Sequence, residues 1–140
     1  MRLSVFLPES SQQLFIDLQK LYQGSLSEQQ LTPDALQKLI TTPDTLFFVT
    51  LFNARHLGAV QVTIEQENAQ LNLLCVRDLT RRRGVGRNLL REVEKQLQAK
   101  NISQIQLPLT ALKEHERETM TLFMQACGYQ VTGEMLTKSL

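Results

Sequence analysis

Arg81-Arg82-Arg83-Gly84-Val85-Gly86 stands where an apolar strand, residues 71–76, gives way to a segment with helical periodicity. At the start of a helix the first backbone N–H groups lack intrahelical partners, and the helix dipole places about half a positive charge there. An anion satisfies both conditions. Gly84 and Gly86 remove side chains that would hold a pyrophosphate off the backbone, and each arginine adds charge-assisted hydrogen bonds of roughly 1.5 to 3 kcal/mol. The stretch therefore predicts a phosphate site between a strand and a helix; a solvated basic turn, with glycines at a tight bend, is the plainer alternative.

The spacing separates this loop from other glycine-rich loops. A dinucleotide fingerprint needs three glycines as GxGxxG, and a P-loop ends in Gly-Lys-Ser/Thr. Here Gly86 is followed by Arg87, so neither fits. Between residues 77 and 91 six arginines stand against Asp78 alone, a net +5 in a chain of formal net charge +1, which leaves −4 for the remainder. Charge gathered on one loop and helix argues for a local anion site rather than a surface spread along a nucleic acid. No aromatic residue interleaves with the arginines, and the chain has no Trp, so a base-stacking platform has no support.

Length and composition, 140 residues at 42% hydrophobic, suit a single domain over residues 1–140. Met1-Arg2-Leu3-Ser4-Val5-Phe6 is apolar for too few residues to be a signal peptide, and no apolar run nears the ~20 residues of a membrane span. The expectation is a cytoplasmic protein with no membrane partner. Cys75 and Cys127 show no CxxC spacing, so buried thiols acting as small apolar groups are expected, with no metal site.

Outward from the loop, a short first strand is followed by a helix carrying Leu14, Leu18 and Leu21 through Tyr22, with a cap offered by residues 8–11. A polar stretch, residues 23–31, leads to Thr32-Pro33-Asp34, where Thr caps and Pro takes the first position of a second helix with Leu36, Leu39 and Ile40. Leu46-Phe47-Phe48-Val49-Thr50-Leu51-Phe52 has the composition of a strand covered on both faces, with Asn53-Ala54-Arg55-His56 as its turn. Val60, Val62 and Ile64 alternate with Gln61, Thr63 and Glu65, and a further turn leads to Leu71, Leu73 and Cys75 on one face of the next strand. The helix after the loop carries Leu89, Leu90, Val93 and Leu97 to about Lys100; residues 102–109 form a strand. Met120, Phe123, Met124 and Cys127 mark a final helix closing on Gly128, before one or two short strands with a hairpin at Gly133-Glu134.

The outcome is α/β: a mixed central sheet flanked by helices, in the order β-α-α-β-β-β-α-β-α-β, with the phosphate loop between fourth strand and third helix. Arg-x-x-Gly-x-Gly at that place resembles the coenzyme A loop of the GNAT acyl-CoA N-acyltransferase superfamily. In that fold, as the resemblance implies, the strands on either side of the loop splay apart to admit pantetheine.

Acyl transfer to an amine needs a base and an acid, each contributing typically ~10² to 10⁴-fold. The superfamily's acid, often a Tyr four residues before the Gly that caps the last helix, falls here on Met124, which cannot give a proton. The fourth strand holds no ionisable group except a thiol. His56, in a turn, and His115, at a helix start, are expected to be exposed and unspecialised, and Cys75 to be a core residue rather than a nucleophile. No catalytic residue is expected.

The segment Val76-Arg77-Asp78-Leu79-Thr80-Arg81-Arg82-Arg83-Gly84-Val85-Gly86 followed by Leu89-Leu90-Arg91-Glu92-Val93 closely resembles the PanZ (PanM) family of GNAT-like proteins. So do Ile16-Asp17-Leu18-Gln19-Lys20, Phe52-Asn53 ahead of Val60, and Phe123-Met124-Gln125-Ala126 before Gly128. The resemblance implies a regulator that binds acetyl-CoA, or CoA, without turning it over. When loaded it would dock on the precursor of aspartate 1-decarboxylase (PanD), promote the self-cleavage that makes the pyruvoyl group, and restrain the mature enzyme, linking pantothenate synthesis to coenzyme A supply. Carried across, Leu74, Cys75 and Val76 pair by backbone with pantetheine, Thr80, Arg81, Arg82, Arg83, Gly84, Val85, Gly86 and Arg87 wrap the pyrophosphate, and Asn53 lies near the acetyl end. Which arginines meet ligand and which meet PanD stays open. An active N-acetyltransferase, using water or the substrate's own amine for proton transfer, is the alternative; nucleic-acid binding is a third.

Overall fold

The computed structural model describes residues 3–77 and 84–140. Strand β1 (Ser4–Phe6) leads into helix α1 (Gln12–Leu21), a 3-10 turn (Glu28–Leu31) and helix α2 (Pro33–Thr41). A meander of β2 (Thr45–Phe52), β3 (Arg55–Glu65) and β4 (Asn68–Val76) follows, then α3 (Val85–Ala99), β5 (Gln104–Pro108), α4 (Glu114–Ala126) and the hairpin β6 (Gln130–Thr132) and β7 (Met135–Ser139). The caps act where the sequence places them. Ser11 accepts from the Leu14 N–H and Thr32 from the Ala35 N–H, with Pro33 in the first turn.

The strands form one sheet in the order β1-β2-β3-β4-β5-β7-β6, antiparallel at every step except β4 with β5, which run parallel. Helices cover both faces. Leu14, Leu18, Tyr22 and Leu36 pack with Phe47, Val49 and Ala59 on one side; Leu89, Leu90, Val93, Leu97 and Met124 pack with Phe48, Val60, Val62 and Leu71 on the other. Phe47 and Phe48, adjacent in β2, therefore enter different cores, which is why this strand shows no polar alternation. Among the described residues no helix is long and apolar enough to cross a membrane.

Three expectations need correction. The turn between β2 and β3 is only Asn53-Ala54: Phe52 already pairs with Arg55, and both turn residues have positive φ, 50° and 63°, as a tight two-residue hairpin requires. Arg55 and His56 belong to β3. Second, Leu71, Leu73 and Cys75 do not share a face. Ala59 pairs with Cys75 but Gln61 with Asn72, so β4 carries an extra residue, and Leu73 takes φ 55°. This bulge leaves Leu71 with the α3 and α4 core and sends Leu73 and Cys75 to the α1 core. Third, the two cysteines are partly rather than fully buried, and Cys127 caps α4 from outside the helix.

Phe48 is fully buried in the larger core, so Phe48→Ala is expected to cost about 3 to 5 kcal/mol in urea denaturation. Val131→Ala, on a strand where the side chain is 47% exposed, should stay within about 0.5 kcal/mol of the parent.

Candidate functional site

β4 is held differently along its two edges. Toward β3 it pairs from Asn68 to Val76; toward β5 it pairs only through Asn68, Ala69 and Gln70 with Gln104, Ile105 and Gln106. Beyond Gln70 the parallel strands part, and Leu107 and Pro108 of β5 pair with β7 alone on the described ladders. Leu74, Cys75 and Val76 thus follow the bulge on the portion of β4 that β5 has left. This is the splay that the resemblance to the GNAT superfamily implies.

Helix α3 begins at the same end of the sheet. Its N-cap, Gly84, has φ 76° and no side chain to cap with, and the first turn contains no acidic residue. The helix dipole and first amides are therefore not answered by a carboxylate from within the helix. Gly86 serves packing: a Cβ there would lie 2.9 Å from Phe123 Cζ and 3.4 Å from Val76 Cγ2, so its lack of a side chain lets α3 sit against α4 and β4. Val85 is fully buried beside it. The Arg87 guanidinium reaches the C-terminal end of α4, where Nη2 donates to the Ala126 carbonyl at 3.4 Å. Thr80, Arg81, Arg82 and Arg83 lie outside the described residues.

A cavity of about 460 Å³ opens between the end of β4, the chain just after α1 and the start of α4. Cys75, Val76 and Arg77 form one wall, Gln23 and Gly24 another, Lys113 and His115 a third. Lys113 Nζ donates to the Gly24 carbonyl across the opening. Sequence reasoning did not bring residues 113–116 or 23–25 to the site, because nothing local in them marks a ligand; only the fold places them around β4. His115 is exposed as expected, its Nε2 3.7 Å from Glu116 Oε1. A larger hollow, about 580 Å³ between α1 and the 3-10 turn, has no residue of β4 in its wall.

Asn53, exposed in the β2–β3 turn, lies at the sheet end where β4 finishes, since Thr50 pairs with Gly58 and Gly58 with Val76. Immediately after this turn comes a buried polar cluster that overturns the expectation for His56. The residue is 8% exposed, and its Nδ1 lies 2.7 Å from Asp17 Oδ2, which also accepts the His56 backbone N–H at 2.9 Å. Arg55 and Gln13 donate to the other carboxylate oxygen, at 3.1 and 2.9 Å. Burial alone would raise the Asp17 carboxyl, but the His56 backbone and ring bonds, with Gln13 and Arg55, outweigh it and leave the group below its ordinary 3.8. The partner that buries His56 is 39 residues away, out of reach of any local pattern.

Met124 is fully buried in the α3 and α4 core. The chain's two tyrosine hydroxyls are engaged away from it: Tyr22 donates to the Leu73 carbonyl at 2.7 Å and Tyr129 to Glu94 Oε2 at 2.9 Å. Burial first, and then the neighbouring Cys75 thiol, push Tyr22 well above the ordinary tyrosine range; burial and then Glu94 push Tyr129 up likewise. Burial also raises the Cys127 thiol, against the lowering effect of Arg87.

A mixed sheet whose fourth and fifth strands part beside the start of a helix defines the GNAT fold. The solved structures agree. The solution NMR structure of Escherichia coli YhhK bound to coenzyme A superposes with a TM-score of 0.80 at 35% identity, covering 100% of both chains. An aminoglycoside 6'-N-acetyltransferase in complex with coenzyme A reaches 0.79 at 15% identity, over 99% of this chain and 97% of that one, a likeness of fold alone. Within the fold, a family model described as "Acetyltransferase (GNAT) domain, PanZ" matches residues 4–136, and the chain belongs to that family. It is similar to the PanD regulatory factor of Escherichia coli, 35% identical over 130 residues, and to that of Salmonella typhimurium, 34% identical, each alignment spanning 92% of both chains.

Asp17→Ala is expected to lower stability by about 3 kcal/mol, the low end for a broken buried pair because Arg55 is partly in water. Because the Asp17 carboxyl is lower in the folded chain than in the unfolded one, its contribution is complete above about pH 4 and fades as pH falls through the folded value. Denaturation curves should therefore show the parent's advantage over Asp17→Ala shrinking at acid pH.

Proposed function

We propose that this protein is an acetyl-CoA-dependent regulator of PanD, a single GNAT-like domain acting in the cytoplasm on the pantothenate route to coenzyme A. The observation that carries this reading is the family match over residues 4–136 together with relatives, at 34 to 35% identity across 92% of the chain, that are PanD regulatory factors. The site's geometry supports it. Pantetheine would pair with the backbone of Leu74, Cys75 and Val76, where β4 has left β5. The pyrophosphate would lie on the first amides of α3 at Gly84, Val85 and Gly86, with Thr80, Arg81, Arg82, Arg83 and Arg87 around it and Asn53 toward the acetyl end. The donor set suits an anion, because the start of α3 carries no carboxylate of its own.

Loaded with acetyl-CoA, the protein would dock on the PanD precursor, promote its self-cleavage to the pyruvoyl form and then restrain the mature enzyme. Such gating requires the ligand to favour the docking-competent state, since a ligand can shift an equilibrium only by its differential affinity. Acetyl transfer is less well served: Met124 occupies the place of the usual acid and is sealed in the core, and both tyrosine hydroxyls are committed elsewhere.

Acetyl-CoA at 100 times its dissociation constant should stabilise the isolated protein by about 2.7 kcal/mol, visible as a raised melting temperature. Uncleaved PanD mixed with the protein should mature faster when acetyl-CoA is present than when it is absent. Acetyl-CoA with a panel of amines should release no free thiol above background. An unchanged melting curve, or rapid thiol release with no effect on PanD, would overturn the proposal.

A further inference from the structure

Two consecutive residues at the end of α1 grip the bulged part of β4. Tyr22, 1% exposed, donates its hydroxyl to the Leu73 carbonyl at 2.7 Å. In return Cys75 Sγ donates to the carbonyl of Leu21 at 2.9 Å. The contacts fall on alternate residues of β4 and bracket Leu74. They span 51 and 54 positions of sequence, so only the fold brings the end of α1 to this strand.

The location of the grip gives it meaning. Leu73 sits at φ 55°, a conformation costly for a branched side chain, which persists only where the surroundings determine it. From Leu71 onward β5 no longer pairs with β4, so one of the two ladders that fix a strand's path is missing just where the bulge occurs. A bulge takes a carbonyl out of regular register, and a buried carbonyl needs a donor. Tyr22 supplies that donor from the face opposite α3 and α4, since its ring packs in the α1 core.

We infer that Tyr22 is a positioning residue for coenzyme binding: by holding the Leu73 carbonyl it fixes the bulge and sets the backbone of Leu74, Cys75 and Val76 in the path a pantetheine must follow. The inference rests on the proposed reading that acetyl-CoA lies along those three residues. Tyr22 itself touches no ligand in this arrangement. Its effect passes through the strand, and Cys75 adds a weaker second contact to the same end.

A core tyrosine with a purely structural role would look similar in one respect, the loss of stability when its hydroxyl is removed. Tyr129 provides the internal comparison. It is 3% exposed in the other core, and its hydroxyl donates to Glu94 of α3 at 2.9 Å rather than to β4. Tyr22→Phe and Tyr129→Phe each delete one buried hydroxyl with its hydrogen bond and leave the ring.

The test measures acetyl-CoA affinity by calorimetry, and thermal stability, for the parent and both variants. Both variants should melt lower than the parent. Tyr22→Phe should bind acetyl-CoA about tenfold more weakly, equivalent to 1.4 kcal/mol, while Tyr129→Phe stays within about twofold of the parent. Amide chemical shifts of residues 73–76 should also move in ligand-free Tyr22→Phe and stay in place in Tyr129→Phe. Should Tyr22→Phe fail to fold, Cys75→Ala carries the same expectation at about threefold. If the parent binds acetyl-CoA and Tyr22→Phe binds it equally well, or if both tyrosine variants lose affinity alike, the positioning role is wrong and the coenzyme reading survives. If the parent itself shows no binding, both fall.

Discussion

β4 is the constraint on which the rest of the structure depends. It must complete a sheet with β3 while leaving β5 after three paired residues. Backbone groups cannot be abandoned inside a protein without cost, so a strand that departs from a ladder needs other partners and a fixed shape. The bulge at Leu73, the end of α1 and the start of α3 are all arranged around that departure. Gly86, by having no side chain, lets α3 begin close against Val76 and Phe123. Without the parting of β4 and β5 the fold would be an ordinary closed sheet with nothing for the helix start to face.

Polar contacts tie helix α1 to the sheet at its middle and at its end. Asp17 ties its middle to β3 through His56 and Arg55, and residues 21 and 22 tie its end to β4. Apolar burial by Leu14, Leu18 and Leu21 supplies much of its stabilisation, but the hydrophobic effect is non-directional and does not choose a position along the sheet. Directional bonds do. The Asp17 anchor lies directly after the Asn53-Ala54 turn and the Tyr22 anchor directly at the bulge, so both adjoin the backbone that the functional proposal uses. The same helix therefore braces β3 beside the Asn53-Ala54 turn and β4 beside the cleft.

Most of the architecture was legible in the sequence because it is encoded locally. Thr32-Pro33, the leucines of α1 and α3 and the Met120, Phe123, Met124 spacing each specify an element through the side chains of that element. The strand-to-helix loop with its arginines carried the proposal of a phosphate site, and its resemblance to the PanZ family carried the ligand class. What escaped reading depends on partners distant in sequence. Leu73 carries no glycine or proline to announce a bulge, so a period-two pattern wrongly put Leu71 and Cys75 on one face. His56 looked like a turn residue until Asp17 supplied its carboxylate. Gly86 was legible as necessary, but the aromatic ring of Phe123 that it accommodates belongs to another helix.

A helix start with no carboxylate in its first turn, a strand that parts from its parallel neighbour and relatives that are PanD regulatory factors together support the proposed site. The most direct test of that site is titration of isotopically labelled protein with acetyl-CoA, followed residue by residue through backbone amide shifts. The account predicts the largest changes at residues 74–76 and 84–87, saturating together with a single dissociation constant, and little change around the hollow beside Ile16 and Thr32. Changes centred on that hollow, with residues 74–76 and 84–87 unmoved, would contradict it.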